Sequence, residues 1–308
     1  MKKGSNSLIE DIINRVTYLL AVVGNPVFRT ALEIDTTSNP LWVTGLFRSG
    51  TTITTRIIED LGFDLGPKNH LLKAKGSRRK LNPDGFYENY LFMEWSLYLF
   101  VKINSWGDIP PEKTKVINLK YHHLSYKEFV FNAIVSIHDD RLSNFQKLKL
   151  LRRFHPYNLG EYLKNRFTDR PAVKNPHFIP LQPLLDRFWP NGKYLVTFRN
   201  PVDWLLSAKK VSPRVNYELY SSYYTRVLDH PQVIFLDYDN LVLNPKKSVL
   251  LLAQSLNVRE YDSSVVDKIN PSCKNSSQKE VPQTLKILYN NLQHLAINHK
   301  LAIDDKID

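Results

Sequence analysis

Two sets of residues in this chain have the types and spacing to hold phosphate. The first lies in Leu41-Trp42-Val43-Thr44-Gly45-Leu46-Phe47-Arg48-Ser49-Gly50-Thr51-Thr52. Gly45-x4-Gly50-Thr51-Thr52 is a phosphate loop of nucleoside-triphosphatase type in every respect but one: Thr51 stands where such a loop carries Lys. Arg48 is its only cation. Without that Lys the loop lacks the charge that reaches the outer phosphates of ATP, so a bound nucleotide need have no γ-phosphate. The second set is Arg199-Asn200-Pro201-Val202-Asp203-Trp204-Leu205-Leu206-Ser207. Its Arg199 and Ser207 are spaced to face one crevice and share one phosphate. Ser49, Gly50, Thr51 and Thr52 are the candidate cradle in the first set.

Each set needs a strand to deliver it and a helix to receive it. An apolar, β-prone run stops at Gly45, and 51–61 carries Ile53, Ile57, Ile58 and Leu61 at helical spacing. The loop amides and the first helical turn then converge on one spot, where the helix dipole adds partial positive charge. Likewise 193–198 reads as a strand, and Pro201 stands where a helix begins. The periodicity further predicts strands at 172–174 and 232–237. Helices are predicted at 86–103, 126–137, 145–154, 159–167, 178–188, 245–256 and 283–302. Asn82-Pro83-Asp84-Gly85 is a turn that opens the 86–103 helix.

Val43-x-Gly45-x-x-Arg48-Ser49-Gly50-Thr51-Thr52 resembles the 5′-phosphosulfate loop of sulfotransferases that use 3′-phosphoadenosine-5′-phosphosulfate (PAPS), in the version with Arg where the soluble animal enzymes have Lys. Arg199-Asn200-Pro201-x-Asp203-x-x-x-Ser207 resembles the signature that binds the 3′-phosphate of PAPS in that family. Asn82-Pro83-x-Gly85-Phe86-Tyr87-Glu88 is similar to a segment of microbial members, and Tyr238-Asp239-Asn240-Leu241 to the turn after a later strand. The resemblance covers roughly 40–100 and 170–275. It implies an α/β fold of three-layer P-loop type, with a mostly parallel central sheet flanked by helices. It places Lys174, 25 positions before Arg199, near a strand-end lysine of the family. The Gly-x-x-Gly-x-aromatic-Lys segment of the soluble animal enzymes is missing, and Asn270-Pro271-Ser272-Cys273-Lys274 stands near its place, with Lys274 as a further candidate for the 3′-phosphate.

Composition is consistent with one α/β domain over 1–308, containing a docking helix in 1–39 and a helical insertion at 104–170. With 308 residues, 43% apolar, the chain is near the upper limit for one core. The net charge of +12 favours polyanionic ligands, and Lys68, Lys73, Lys75, Arg78, Arg79 and Lys80 form the densest basic cluster, read as a solvated loop or an anion contact. The single cysteine, Cys273, excludes an intrachain disulfide and any cysteine-based metal set, which points to a reducing, cytoplasmic setting. No early run is long enough to span a membrane. The Leu8 to Leu20 pattern reads as a docking helix, with a membrane-surface helix as the alternative. His122 and His123 lack a third ligand nearby and read as structural.

The resulting expectation is sulfonyl transfer from PAPS, as co-substrate, to a hydroxyl or amine of a small-molecule or carbohydrate acceptor. Catalysis would consist of positioning plus fixed cations, Arg48 and Lys174, without a metal. For the base that takes the acceptor's proton there are two candidates. Glu88 is the first carboxylate after the turn at 82–85. His177 lies three residues after Lys174, resembling the family's Lys-x-His displaced by one. A P-loop kinase with Asp237 holding magnesium is one rival reading, and a basic nucleic-acid-binding protein another; no stretch has the aromatic spacing of a nucleic-acid module.

Overall fold

The computed structural model describes residues 39–73, 85–96, 156–269 and 280–299. Strand β1 (Leu41–Thr44) is followed by α1 (Thr51–Asp60), a 3-10 turn (Lys68–His70), α2 (Tyr90–Ser96) and α3 (Pro156–Arg166). Then come β2 (Ala172–Lys174), α4 (Phe178–Phe188), β3 (Lys193–Phe198), α5 (Pro201–Lys209), α6 (Tyr217–Thr225) and β4 (Val233–Asp237). Helices α7 (Tyr238–Leu243), α8 (Pro245–Ser255) and α9 (Gln283–Leu295) complete the order, with 3-10 turns at Ser263–Lys268 and Ile297–His299.

The strands form one parallel sheet in the order β2-β1-β3-β4. Successive strand side chains point to opposite faces, and the apolar residues divide accordingly. Trp42, Val173, Tyr194, Val196, Phe198 and Phe235 enter one core with residues of α2, α3, α4, α5, α6 and α9. Leu41, Val43, Ala172, Leu195 and Leu236 enter the other with α1, α7 and α8. Burial on both faces explains why β1, β2 and β3 read as continuous apolar runs rather than alternating ones. The result is the three-layer α/β architecture expected from the sequence.

In this strand order the chain leaves β1 for β2 on one side and returns to β3 on the other. The β1–β3 boundary is therefore a topological switch point, where connections diverge and open a crevice at the carboxyl ends of the strands. Register puts Thr44 opposite Val196, so the two glycine- and arginine-bearing junctions open side by side.

The structure corrects several boundaries. The expected helix at 86–103 begins only at Tyr90, because Gly85 and Tyr87 have φ of 98° and 60° and Glu88 is extended, bridging Lys174 in parallel. Glu88 therefore does not lie in a first helical turn. The C-terminal helix ends at Leu295 rather than running to 302; Ala296 turns out to pair with Phe235. Helix α6 was not foreseen. The turn expected at Tyr238-Asp239-Asn240-Leu241 is the opening of α7, and Asp237 caps it, its Oδ1 accepting from the Asp239 and Asn240 amides. The helices expected within 1–39, at 126–137 and at 145–154, together with His122, His123 and Lys274, lie outside the described residues, as does most of the insertion; α3 matches the helix expected at 159–167. Among the described residues no helix is long and apolar enough to cross a membrane.

Candidate functional site

Residues 45–50 turn sharply because two glycines and Arg48 take positive φ, at 139°, 98° and 70°. At Gly45 the requirement is also steric: a Cβ would fall 2.2 Å from the Thr197 carbonyl oxygen of β3. Three elements pin the loop. Ser49 Oγ is 3.1 Å from Thr197 Oγ1, the Leu46 amide donates to Tyr224 Oη of α6, and Trp204 Nε1 of α5 donates to the Phe47 carbonyl at 2.9 Å. Tyr224 in turn donates to the Thr197 carbonyl. Helix α1 starts at this loop with no side-chain cap and no acidic residue in its first turn, which leaves its positive end disposed toward an external anion.

At the end of β3, Asn200 Oδ1 accepts from the Val202 amide at 2.9 Å and so caps α5, with Pro201 as the first helical residue. That cap fixes Arg199 just outside the helix. Arg199 Nε lies 3.5 Å from Asp239 Oδ1, and its guanidinium stands 5.1 Å from the Tyr238 ring centroid. The same ring abuts the first loop, since a Cβ on Gly50 would fall 2.2 Å from Tyr238 Cδ2. Arg48 Nε donates to Ser207 Oγ at 3.1 Å, tying the loop to α5. The two guanidiniums thus converge, and burial together with Arg199 lowers the Arg48 pKa from its ordinary value, against an opposing pull from Tyr238.

The third strand end contributes Lys174, which is 3% exposed. Its Nζ donates to Glu88 Oε1 at 2.5 Å, to the Phe86 carbonyl at 2.6 Å and to Thr52 Oγ1 at 3.4 Å. Burial raises the Glu88 carboxyl above the usual range, while Lys174 pulls it back. Glu88 Oε2 is buried and has no hydrogen-bond partner among the described residues. His177 is buried at the start of α4, its amide donating to Asn175 Oδ1 at 2.9 Å. Burial first and Lys174 second push its imidazole down to about 3, so it is neutral near pH 7.

Of the residues singled out in the sequence, Arg48, Ser49, Gly50, Thr51, Thr52, Arg199 and Ser207 gather at the β1–β3 crevice, and Lys174, Glu88 and Thr52 form a contiguous chain beside it. Thr197, Tyr224 and Asp239, which hold these groups, were not assigned a role there. Asp239 lies within the noted Tyr238 turn, and that turn was the available clue. Among the described residues no group of three or more His, Cys, Asp or Glu side chains is arranged to hold a metal ion.

This is an α/β protein with a glycine-bounded loop leading into an uncapped helix at the switch point of its parallel sheet. Residues 40–262 match the model of the sulfotransferase family, and the chain belongs to that family. No curated protein matches the chain. Membership supports sulfonyl transfer as the general chemistry.

Proposed function

We propose that the protein transfers the sulfonyl group of PAPS to a hydroxyl or amine of a small-molecule or carbohydrate acceptor by in-line displacement. The observation that carries this reading is Lys174. Its ammonium joins Thr52, on the first turn of α1, to Glu88 across the mouth of β2. One cation therefore stands between an anion-binding helix end and a buried carboxylate, the arrangement that displacement at a sulfur between leaving phosphate and acceptor requires.

PAPS supplies a sulfonyl group on a phosphosulfate anhydride. Ser49, Gly50, Thr51 and Thr52 cradle the 5′-phosphate, and Arg199 with Ser207 takes the 3′-phosphate. The uncapped α1 terminus and the converging guanidiniums fit such a doubly anionic ligand. Arg48 and Lys174 stabilise the charge left on the bridging oxygen when its bond to sulfur breaks. Glu88 takes the acceptor's proton as the new bond forms; its Oε2, unpartnered among the described residues, is the oxygen left for that contact. Fixed cations do this work, and the Asp237 oxygens that a kinase would need for magnesium are taken by the α7 amides and by His299 Nε2 at 2.7 Å.

The test is thermal melting with 3′-phosphoadenosine-5′-phosphate in the absence of magnesium. A rise in Tm is expected, with ATP giving a weaker one. A shift seen only with ATP and magnesium would overturn the assignment.

A further inference from the structure

Asp239 has no part in the chemistry above, yet it is paired, at 3.5 Å, with the guanidinium assigned to the 3′-phosphate. Its two oxygens are unequal. Oδ2 is committed to the Asn200 amide at 2.6 Å. Oδ1 faces Arg199 Nε at 3.5 Å, beyond a well-made hydrogen bond, with both side chains largely buried. Other charges press on this carboxylate. Asp237 at the end of β4 and Asp203 on α5 repel it, and Arg199 and the Asn200 amide favour its ionised form. Tyr220 of α6 and Tyr289 of α9 face the same cluster. Arg48 approaches Arg199 from the loop, and His299 pairs with Asp237 from behind.

We propose that Asp239 is a stand-in anion for the donor's phosphate: it balances Arg199 when no ligand is bound, and on phosphate binding there it takes a proton from solvent and becomes neutral. The proposal rests on Arg199 being the phosphate site. Burial and Asp237 already push the Asp239 carboxyl up to about 6. A phosphate carrying one to two negative charges beside it raises the cost of ionisation further and moves the group past neutrality. The proton is placed on Oδ1, since Oδ2 keeps the Asn200 amide, and the acid then donates toward the phosphate where the carboxylate would have repelled it.

Binding of 3′-phosphoadenosine-5′-phosphate to the full chain, measured by titration calorimetry at pH 7.5 in two buffers of different ionisation enthalpy, counts the protons taken up. Wild type is expected to take up close to one more proton than Asp239→Asn. Protons that the ligand takes up independently of residue 239 cancel, and an unchanged phosphorus-31 shift of the bound 3′-phosphate between the two proteins assigns the extra proton to Asp239. Between pH 7 and 8 the wild-type Kd should weaken by approaching tenfold relative to that of Asp239→Asn. The asparagine keeps an oxygen for the Asn200 amide, so the cap of α5 survives. Equal proton uptake, or weaker binding by the variant at every pH, would overturn the proposal alone. An absence of binding to wild type would overturn both it and the donor assignment.

Discussion

Arg48 and Arg199 are the same residue type, and both feel Tyr238, but their surroundings suit them to different work. Arg48 is on the loop, tied to Ser207, and is proposed to stand beside the reacting bond, whereas Arg199 is held by Asp239 over Tyr238. Arg48→Ala is expected to depress turnover more than donor binding. Arg199→Ala should cost about 1.5–3 kcal/mol in donor binding, the worth of a charge-assisted contact. Calorimetry and steady-state rates on both variants check this, and equal effects on both parameters would contradict it. The two base candidates separate by pH. Glu88 must be ionised to accept a proton, and burial raises its pKa, so turnover should fall as pH drops through that raised value. Glu88→Gln should lose about 10²- to 10⁴-fold in turnover together with this acid limb. His177, neutral until about pH 3, cannot supply the limb. Its contribution is to stability: the unfolded chain binds a proton there below the ordinary imidazole value of 6.5 and the folded one does not, so stability falls as pH falls from 6.5 toward 3. Turnover lost in His177→Asn and kept in Glu88→Gln would move the role to His177. The candidate set was legible because phosphate chemistry leaves local traces: glycines at fixed spacing, an arginine at a strand end. The Lys174–Glu88 and Arg199–Asp239 pairs were not, because each joins residues far apart in the chain through strand neighbours that no local pattern names.

At the scale of elements, the loop between β1 and α1 depends on two glycines whose surroundings differ. At Gly45 the obstacle is the backbone of β3, and at Gly50 it is the ring of Tyr238. Gly45→Ala should therefore lower stability by at least the 1–3 kcal/mol typical of a strained backbone, roughly, because a central strand cannot yield. Gly50→Ala should be milder in melting and more severe in donor affinity, since the displaced Tyr238 ring also carries Arg199. Urea unfolding and nucleotide titration of the two variants separate these effects; equal losses of stability would contradict the difference. Strands β1, β2 and β3 were legible to the residue, as were α4 and the Pro201 start of α5, because apolar runs, prolines and caps set them locally. Residues 86–89 differ from the helix expected there because Glu88 pairs with Lys174 of β2 and Asn89 with Leu71. Helix α6 had a trace, Tyr217, Tyr220 and Tyr224 at helical spacing, that aromatic content disguised.

Among the described residues the sheet has four strands, and its outer two, β2 and β4, are exposed to the risk that unpaired strand backbone carries. The β2 side is closed by Glu88 against Lys174, and the β4 side by Ala296 against Phe235. Behind Ala296, Asn298 exchanges hydrogen bonds with Asp237 in both directions and its Nδ2 also reaches Ser248. This tail lies beyond the residues that match the family. An outer strand stripped of its cover offers donors and acceptors to any similar strand, including that of a second molecule. A chain ending at Leu295 is therefore expected to self-associate with rising concentration, as light scattering would register; a monodisperse truncated chain would refute this. On that expectation the segment from Ala296 to His299 guards against aggregation, which gives selection for solubility, quite apart from selection for catalysis, a reason to keep it.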